Sequence, residues 1–110
     1  MTVNHKHYTY RVTWSQEDGE YLALCVELPS LSYLDEDQVA ALVGIQDLVK
    51  DILVDMEANN ELIPQPIAEK KYSGKFQVRI LPEQHRMLVI KAAEEKVSLN
   101  RYVSNKLALC

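Results

Sequence analysis

The chain has 110 residues, 47% of them hydrophobic and 25% charged, with a formal net charge of -4. That is a globular composition rather than a disordered one, and no apolar run approaches the roughly 20 residues a membrane span needs. The small net charge hides a split: residues 1–69 hold three Lys/Arg against thirteen Asp/Glu, whereas residues 70–110 hold nine against three.

The opening stretch, MTVNHKHYTY, has no apolar segment of the kind a signal peptide carries, so a reducing cytoplasm is the expected setting. The two cysteines fit that setting: Cys25 lies inside an apolar run and Cys110 is the last residue, which is not a disulfide framework. Tyr8, Tyr10, Val12 and Trp14 alternate with Thr9, Arg11, Thr13 and Ser15, the period of a half-buried strand with its aromatic side chains in the core. Glu17-Asp18-Gly19-Glu20 supplies a turn, and Tyr21 to Leu28 returns as a second strand that Pro29 ends. Leu22, Leu24, Val26 and Leu28 share one face of it, Ala23, Cys25 and Glu27 the other. Leu31 to Leu34 is a candidate third strand.

Asp35 is placed to cap a helix over about 37–58, with Gln38 at the capping-box position. Val39, Leu42, Val43, Ile45, Leu48, Val49, Ile52, Leu53 and Met56 follow helical spacing, and this helix should cover one face of the sheet. Asn59 and Asn60 end it. Leu62 to Ala68 contains Pro64 and Pro66 and reads as an extended connector or edge strand. The composition shifts at about residues 69–74, which divides the chain into domains 1–69 and 70–110.

In the basic part, Phe76, Val78 and Ile80 alternate with Lys75, Gln77 and Arg79, predicting a strand over 75–81. Pro82 opens a helix running to about Lys96, with Leu88, Val89, Ala92 and Ala93 inward, and Ser98 caps a second helix striped by Leu99, Tyr102, Val103 and Leu107. A lone strand with two helices cannot satisfy its own backbone groups or bury enough apolar surface. Two chains pairing their strands antiparallel would solve both problems, with Phe76, Val78 and Ile80 in a shared dimer core. Lys75, Gln77 and Arg79 of both chains would then stand on one exposed ribbon, and such a ribbon fits the DNA major groove. Arg and Lys can bond guanine and Gln can pair with adenine, while the helix N-terminus at Ser98, Leu99 and Asn100 suits a phosphate.

The stretch SGKFQVRILPEQHRMLVIKAAEEKVSLNRYVSNKLA resembles the ribbon-helix-helix repressor family. The resemblance covers about residues 74–110 and implies operator contacts by Lys75, Gln77 and Arg79, and phosphate contacts at Ser98 to Asn100. The front half, with its Tyr-rich first strand, EDG turn, Glu27-Leu28-Pro29 strand end and helix after Leu34, resembles the HicB-type antitoxins. It departs from their common Pro-Asp-Leu-Pro-Gly strand end, carrying Val26-Glu27-Leu28-Pro29-Ser30 instead. The resemblance implies a partial ribonuclease H-like domain joined to a DNA-binding tail, a small basic ribonuclease toxin as partner, and repression of the protein's own operon.

Catalysis is not expected. Glu17, Asp18 and Glu20 sit in a turn and Asp47, Asp51 and Asp55 lie along one helix face, a spacing more typical of solvated surface than of converging metal ligands. His5 and His7 have no Cys or carboxylate at ligand spacing, and no metal or cofactor is expected. The expected fold is α+β: a small antiparallel sheet with one covering helix, then a ribbon-helix-helix that dimerises through its strand. The expected function is an antitoxin and autorepressor that binds double-stranded operator DNA, as a homodimer with tetramer formation left open. The alternative is a stand-alone ribbon-helix-helix regulator whose acidic domain senses a ligand or promotes oligomerisation.

Overall fold

The computed structural model describes residues 3–109. Cys110 lies outside them. The fold is α+β, and the chain divides into two compact units, Met1–Tyr72 and Ser73–Cys110.

In the first unit a short 3-10 turn at His5–His7 leads into β1 (Tyr10–Ser15), β2 (Glu20–Cys25) and β3 (Ser32–Asp35), followed by α1 (Gln38–Ala58). The strands form one antiparallel sheet in the order β1-β2-β3. The register sets Tyr10 across from Cys25 and Ser15 across from Glu20, then Tyr21 across from Asp35 and Leu22 across from Leu34. Gly19 closes the β1–β2 hairpin with φ at 66, a conformation that glycine adopts without a Cβ penalty, and its N–H donates to the Ser15 carbonyl at 2.9 Å.

The helix is where expected, but its cap is two residues later. Asp37 Oδ2 accepts the Ala40 N–H at 2.8 Å, while Asp35 Oδ1 accepts the Asp37 N–H at 2.9 Å and holds that cap in place. Four residues of α1 spaced four apart, Ala41, Ile45, Val49 and Leu53, are fully buried against Ala23 and Cys25 of β2 and against Tyr8. Small side chains on both sides let the helix sit low on the sheet. Gly44 serves the same closeness, since the Tyr33 ring occupies the space a Cβ there would take. Leu22 and Leu24 alternate with Ala23 and Cys25 along β2 and so stand on the opposite face of the sheet from α1. Val39 and Val43, which helical spacing would place in the stripe, are instead exposed. Trp14 also departs from a core position: it is half exposed, edge-on to Tyr21 with ring centroids 5.1 Å apart.

The stretch after α1 is not a strand. It is strapped to the start of β1 by polar bonds. Tyr8 donates its hydroxyl to the Pro64 carbonyl at 2.6 Å, and His7 Nδ1 lies 2.8 Å from Glu69. The Glu27 carboxylate accepts the Thr9 and Ile67 N–H groups, each at 2.9 Å, as well as the Thr9 hydroxyl at 3.1 Å. Burial works against the Glu27 charge, yet the N–H donors of Ile67 and Thr9 outweigh it and hold the carboxyl below its usual range. Ile63 packs on the core and Pro66 is fully buried. Cys25 is 1% exposed beside this carboxylate, and burial pushes its thiol pKa up.

The second unit holds α2 (Pro82–Glu94) and α3 (Leu99–Leu107), near the predicted bounds. Gln84 reaches back to accept the Leu81 N–H at 3.1 Å, and Ser98 Oγ accepts the Arg101 N–H at 3.0 Å. The turn between them is closed by Lys96, with φ at 59, and by a bond from the Val97 N–H to the Ala92 carbonyl at 3.1 Å. Residues 75–81, expected as a strand, form none in the described chain. A strand is defined by the partner that receives its hydrogen bonds, and no segment of the second unit supplies one.

Candidate nucleic-acid interface

The segment Lys75–Leu81 leaves a tight turn in which the Lys75 N–H donates to Ser73 Oγ at 3.0 Å and Gly74 takes φ at 83. Every residue from 75 to 81 is exposed, and yet the segment is two-sided. Phe76, Val78 and Ile80 join Leu88 of α2 and Leu99, Val103 and Leu107 of α3 around an apolar groove of about 340 Å³. Gln77 and Arg79 line a separate hollow with Val78. Phe76, Val78 and Ile80 thus line the groove on the helices, while Gln77 and Arg79 do not line it.

Lys75 does not share that hollow: it lines a cleft on the α3 side with Asn100 and Ser104, which Phe76, Val78, Leu99, Val103 and Leu107 also line. Ser98 and Asn100 are exposed at the helix start, where the first N–H groups have no intrahelical acceptor. Leu99 belongs to both sides of the problem: its side chain lines the apolar groove, which leaves its main-chain N–H as the group that can face an anion. Tyr102 is 6% exposed, and Lys106, one turn later in the same helix, sets its Nζ 5.3 Å from the ring centre.

What the second unit lacks is a closed core. Among its described residues only Ala92 and Tyr102 are buried, while Phe76 is 74% exposed and Val78 67%. Among the described residues no three His, Cys, Asp or Glu side chains gather as a metal site would require. No described helix is long and apolar enough to cross a membrane.

The HicB family model matches residues 57–107, from the last turn of α1 to the end of α3. Over these 51 of its 110 residues the chain is similar to the HicB family. This is an antitoxin family of toxin–antitoxin systems, and the match covers the connector and the second unit, not the front sheet whose strand pattern resembles it in sequence. No curated protein and no solved structure matches the chain.

Two features of the first unit escape a sequence reading. One is the Glu27 clamp, whose partner Ile67 is 40 residues away. The other is the uncovered sheet face, where Leu22 and Leu34 stand across from each other and Leu34 is 42% exposed. The register also gathers Glu17, Asp18 and Glu20 of the hairpin with Asp35, Glu36 and Asp37 at one end of the sheet. Pairing of Tyr21 with Asp35 brings these runs together, and nothing in their separation along the chain announces it.

Proposed function

We propose that this protein is an antitoxin with two binding surfaces and no chemistry of its own: it neutralises a small, basic ribonuclease toxin and represses its own operon. One observation supports the DNA half of the reading, namely that Phe76, Val78 and Ile80 line the groove on the helices while Gln77 and Arg79 line a separate hollow. Antiparallel pairing of two copies through this segment gives each strand its missing partner and seals Phe76, Val78 and Ile80 in a common core. Lys75, Gln77 and Arg79 then form the ribbon that reads base edges, and the helix start at Ser98–Asn100 clamps a phosphate.

The toxin half rests on the first unit. The net charge of -10 over residues 1–69, three Lys/Arg against thirteen Asp/Glu, repels phosphates and attracts a basic protein. The open face bearing Leu22, Leu24 and Leu34, next to the acidic end of the sheet, supplies the apolar contact that tight holding requires.

Two titrations with the full-length protein test this. Against DNA from upstream of its own gene, Arg79→Ala should cost about 1–3 kcal/mol and relax sequence preference, whereas Lys71→Ala weakens binding without changing preference. Against the product of the neighbouring reading frame, Leu34→Glu should abolish binding while DNA affinity stays. DNA binding with no adjacent-gene partner would instead identify a stand-alone regulator, and an Arg79→Ala variant of unchanged affinity would remove the ribbon from the interface.

A further inference from the structure

β1 lies at an edge of the sheet, with β2 on one side and no strand on the other. The Thr9 carbonyl accepts the Val26 N–H at 2.9 Å, in the register that continues through Tyr10 and Cys25. Main-chain groups alternate in direction along an antiparallel strand, so those of Arg11 and Thr13 also turn to β2. The N–H and C=O groups of Tyr10, Val12 and Trp14 therefore point outward. The strap leaves them alone. Its hydrogen bonds go to His7, Tyr8 and Glu27, and among the described residues no main-chain bond reaches the outer side of β1.

This edge is also unguarded. Sheets protect a free edge with proline, lysine, a bulge or a covering segment, because a row of unpaired main-chain groups recruits another strand. β1 reads YRVTWS, with Arg11 its single charge, and its register with β2 runs unbroken from Tyr10 to Ser15. The opposite edge, β3, is shorter, four residues that end on Asp35 and lead into Glu36 and Asp37. Trp14 adds an apolar anchor at the open edge. It is 51% exposed, and its orientation is held by the bond from Nε1 to Gln16 Oε1 at 2.9 Å and by the Tyr21 ring. Just past it the hairpin carries Glu17, Asp18 and Glu20.

We infer that the outer edge of β1 is a strand-addition site, at which an extended segment of a basic protein pairs with Tyr10, Val12 and Trp14 and lengthens the sheet. Main-chain bonds supply affinity for any extended segment, and the side chains around them choose among segments. Charge makes the choice here: Glu17, Asp18 and Glu20 favour Lys or Arg at the end of the added strand that lies beside the hairpin. A second copy of this unit is a poorer occupant, because residues 1–69 carry a net charge of -10, three Lys/Arg against thirteen Asp/Glu, and would meet their like. The site rests on the toxin reading above, and it gives that partner a main-chain contact beside the face bearing Leu22 and Leu34.

Residue-resolved amide exchange on the full-length chain, with and without the product of the neighbouring reading frame, tests the site. In the free protein the amides of Tyr10, Val12 and Trp14 should exchange fast while those of Arg11 and Thr13 are protected. On binding, the three fast amides should slow by at least about tenfold, an alternation that contact through side chains alone would not produce. Val12→Pro deletes an outward N–H without touching the ladder to β2, and proline is tolerated at such edge positions. It should weaken binding by about tenfold or more, whereas Val12→Ala, which keeps the N–H, should bind within about twofold of wild type. Should Val12→Pro prove unfolded by circular dichroism, the exchange pattern decides alone. A partner that binds while the three amides stay fast overturns the strand-addition site and leaves the toxin reading standing, as does a folded Val12→Pro of unchanged affinity. Absence of binding overturns both. Protection of the same amides in the free chain, rising with its concentration, assigns the edge to a second copy and overturns the basic partner.

Discussion

The two units solve the same physical problem with unequal means. The first has a sheet, a long helix and a strap, enough to bury Ile45, Val49, Leu53, Ala23 and Cys25 almost completely. The second has two short helices and a segment without a partner, and it leaves Phe76, Val78, Leu81 and Met87 more than half exposed. One closes its core within a single chain, and the other does not. Charge divides along the same line, acidic where the core is closed and basic where it is open. A unit of about 40 residues lies near the lower limit for folding alone, and the proposed dimer would supply what chain length does not.

The harshest way to break that contrast is Val78→Asp in the full-length protein. A carboxylate placed in the shared core should dissociate the dimer and lower DNA affinity to the nonspecific level, at a cost of several kcal/mol. Circular dichroism and thermal melting of the same sample should still show the first unit folded. A variant that loses both units together would mean that they are not independent.

Smaller effects sharpen the comparison from the other side. Glu27→Ala removes the acceptor of three hydrogen bonds that tie β1 to the strap, and should destabilise the first unit by about 2 kcal/mol. Its pH dependence has a definite sign. The folded carboxyl titrates below its ordinary value of 4.5, so its contribution is complete above that pH and is lost as the pH falls through the lower, folded value. Chemical denaturation from pH 7 down to pH 3 should show that loss in the wild type and a flatter profile in Glu27→Gln. The smallest effect belongs to the second unit. Lys96→Gly relieves a positive φ at the end of α2 and should stabilise by about 0.5–1 kcal/mol, raising the melting temperature of that unit alone.

The legible parts of the sequence are those governed by local pattern. The hairpin, the long helix and both short helices follow from periodicity and caps, because Gly19, Ser98 and Pro82 act on their immediate neighbours. Less legible is anything that depends on a choice between equals. Either face of β2 is apolar, and only the fit of Ala23 and Cys25 under a helix bearing Ala41 and Gly44 decides that the leucines point outward. Asp35 and Asp37 are both good caps, and the helix takes the second while the first braces it. Residues 75–81 mark a different boundary. Their alternation is readable in one chain, and Phe76, Val78 and Ile80 do share the groove, yet a strand needs a pairing partner that the proposed dimer would provide. The candidate site residues Lys75, Gln77, Arg79, Ser98 and Asn100 are all at the surface, whereas Leu99 turns its side chain into the groove.

The thiol of Cys25 gives the closed unit its own clock. A group 1% exposed, whose ionised form is disfavoured by burial, cannot meet an alkylating reagent until the sheet and α1 come apart. Its labelling rate therefore counts openings of the front unit, one event at a time, in the intact chain and in the presence of any partner. A toxin that clasps the open sheet face would slow that clock, while operator DNA held by the other unit would leave it running at its own pace.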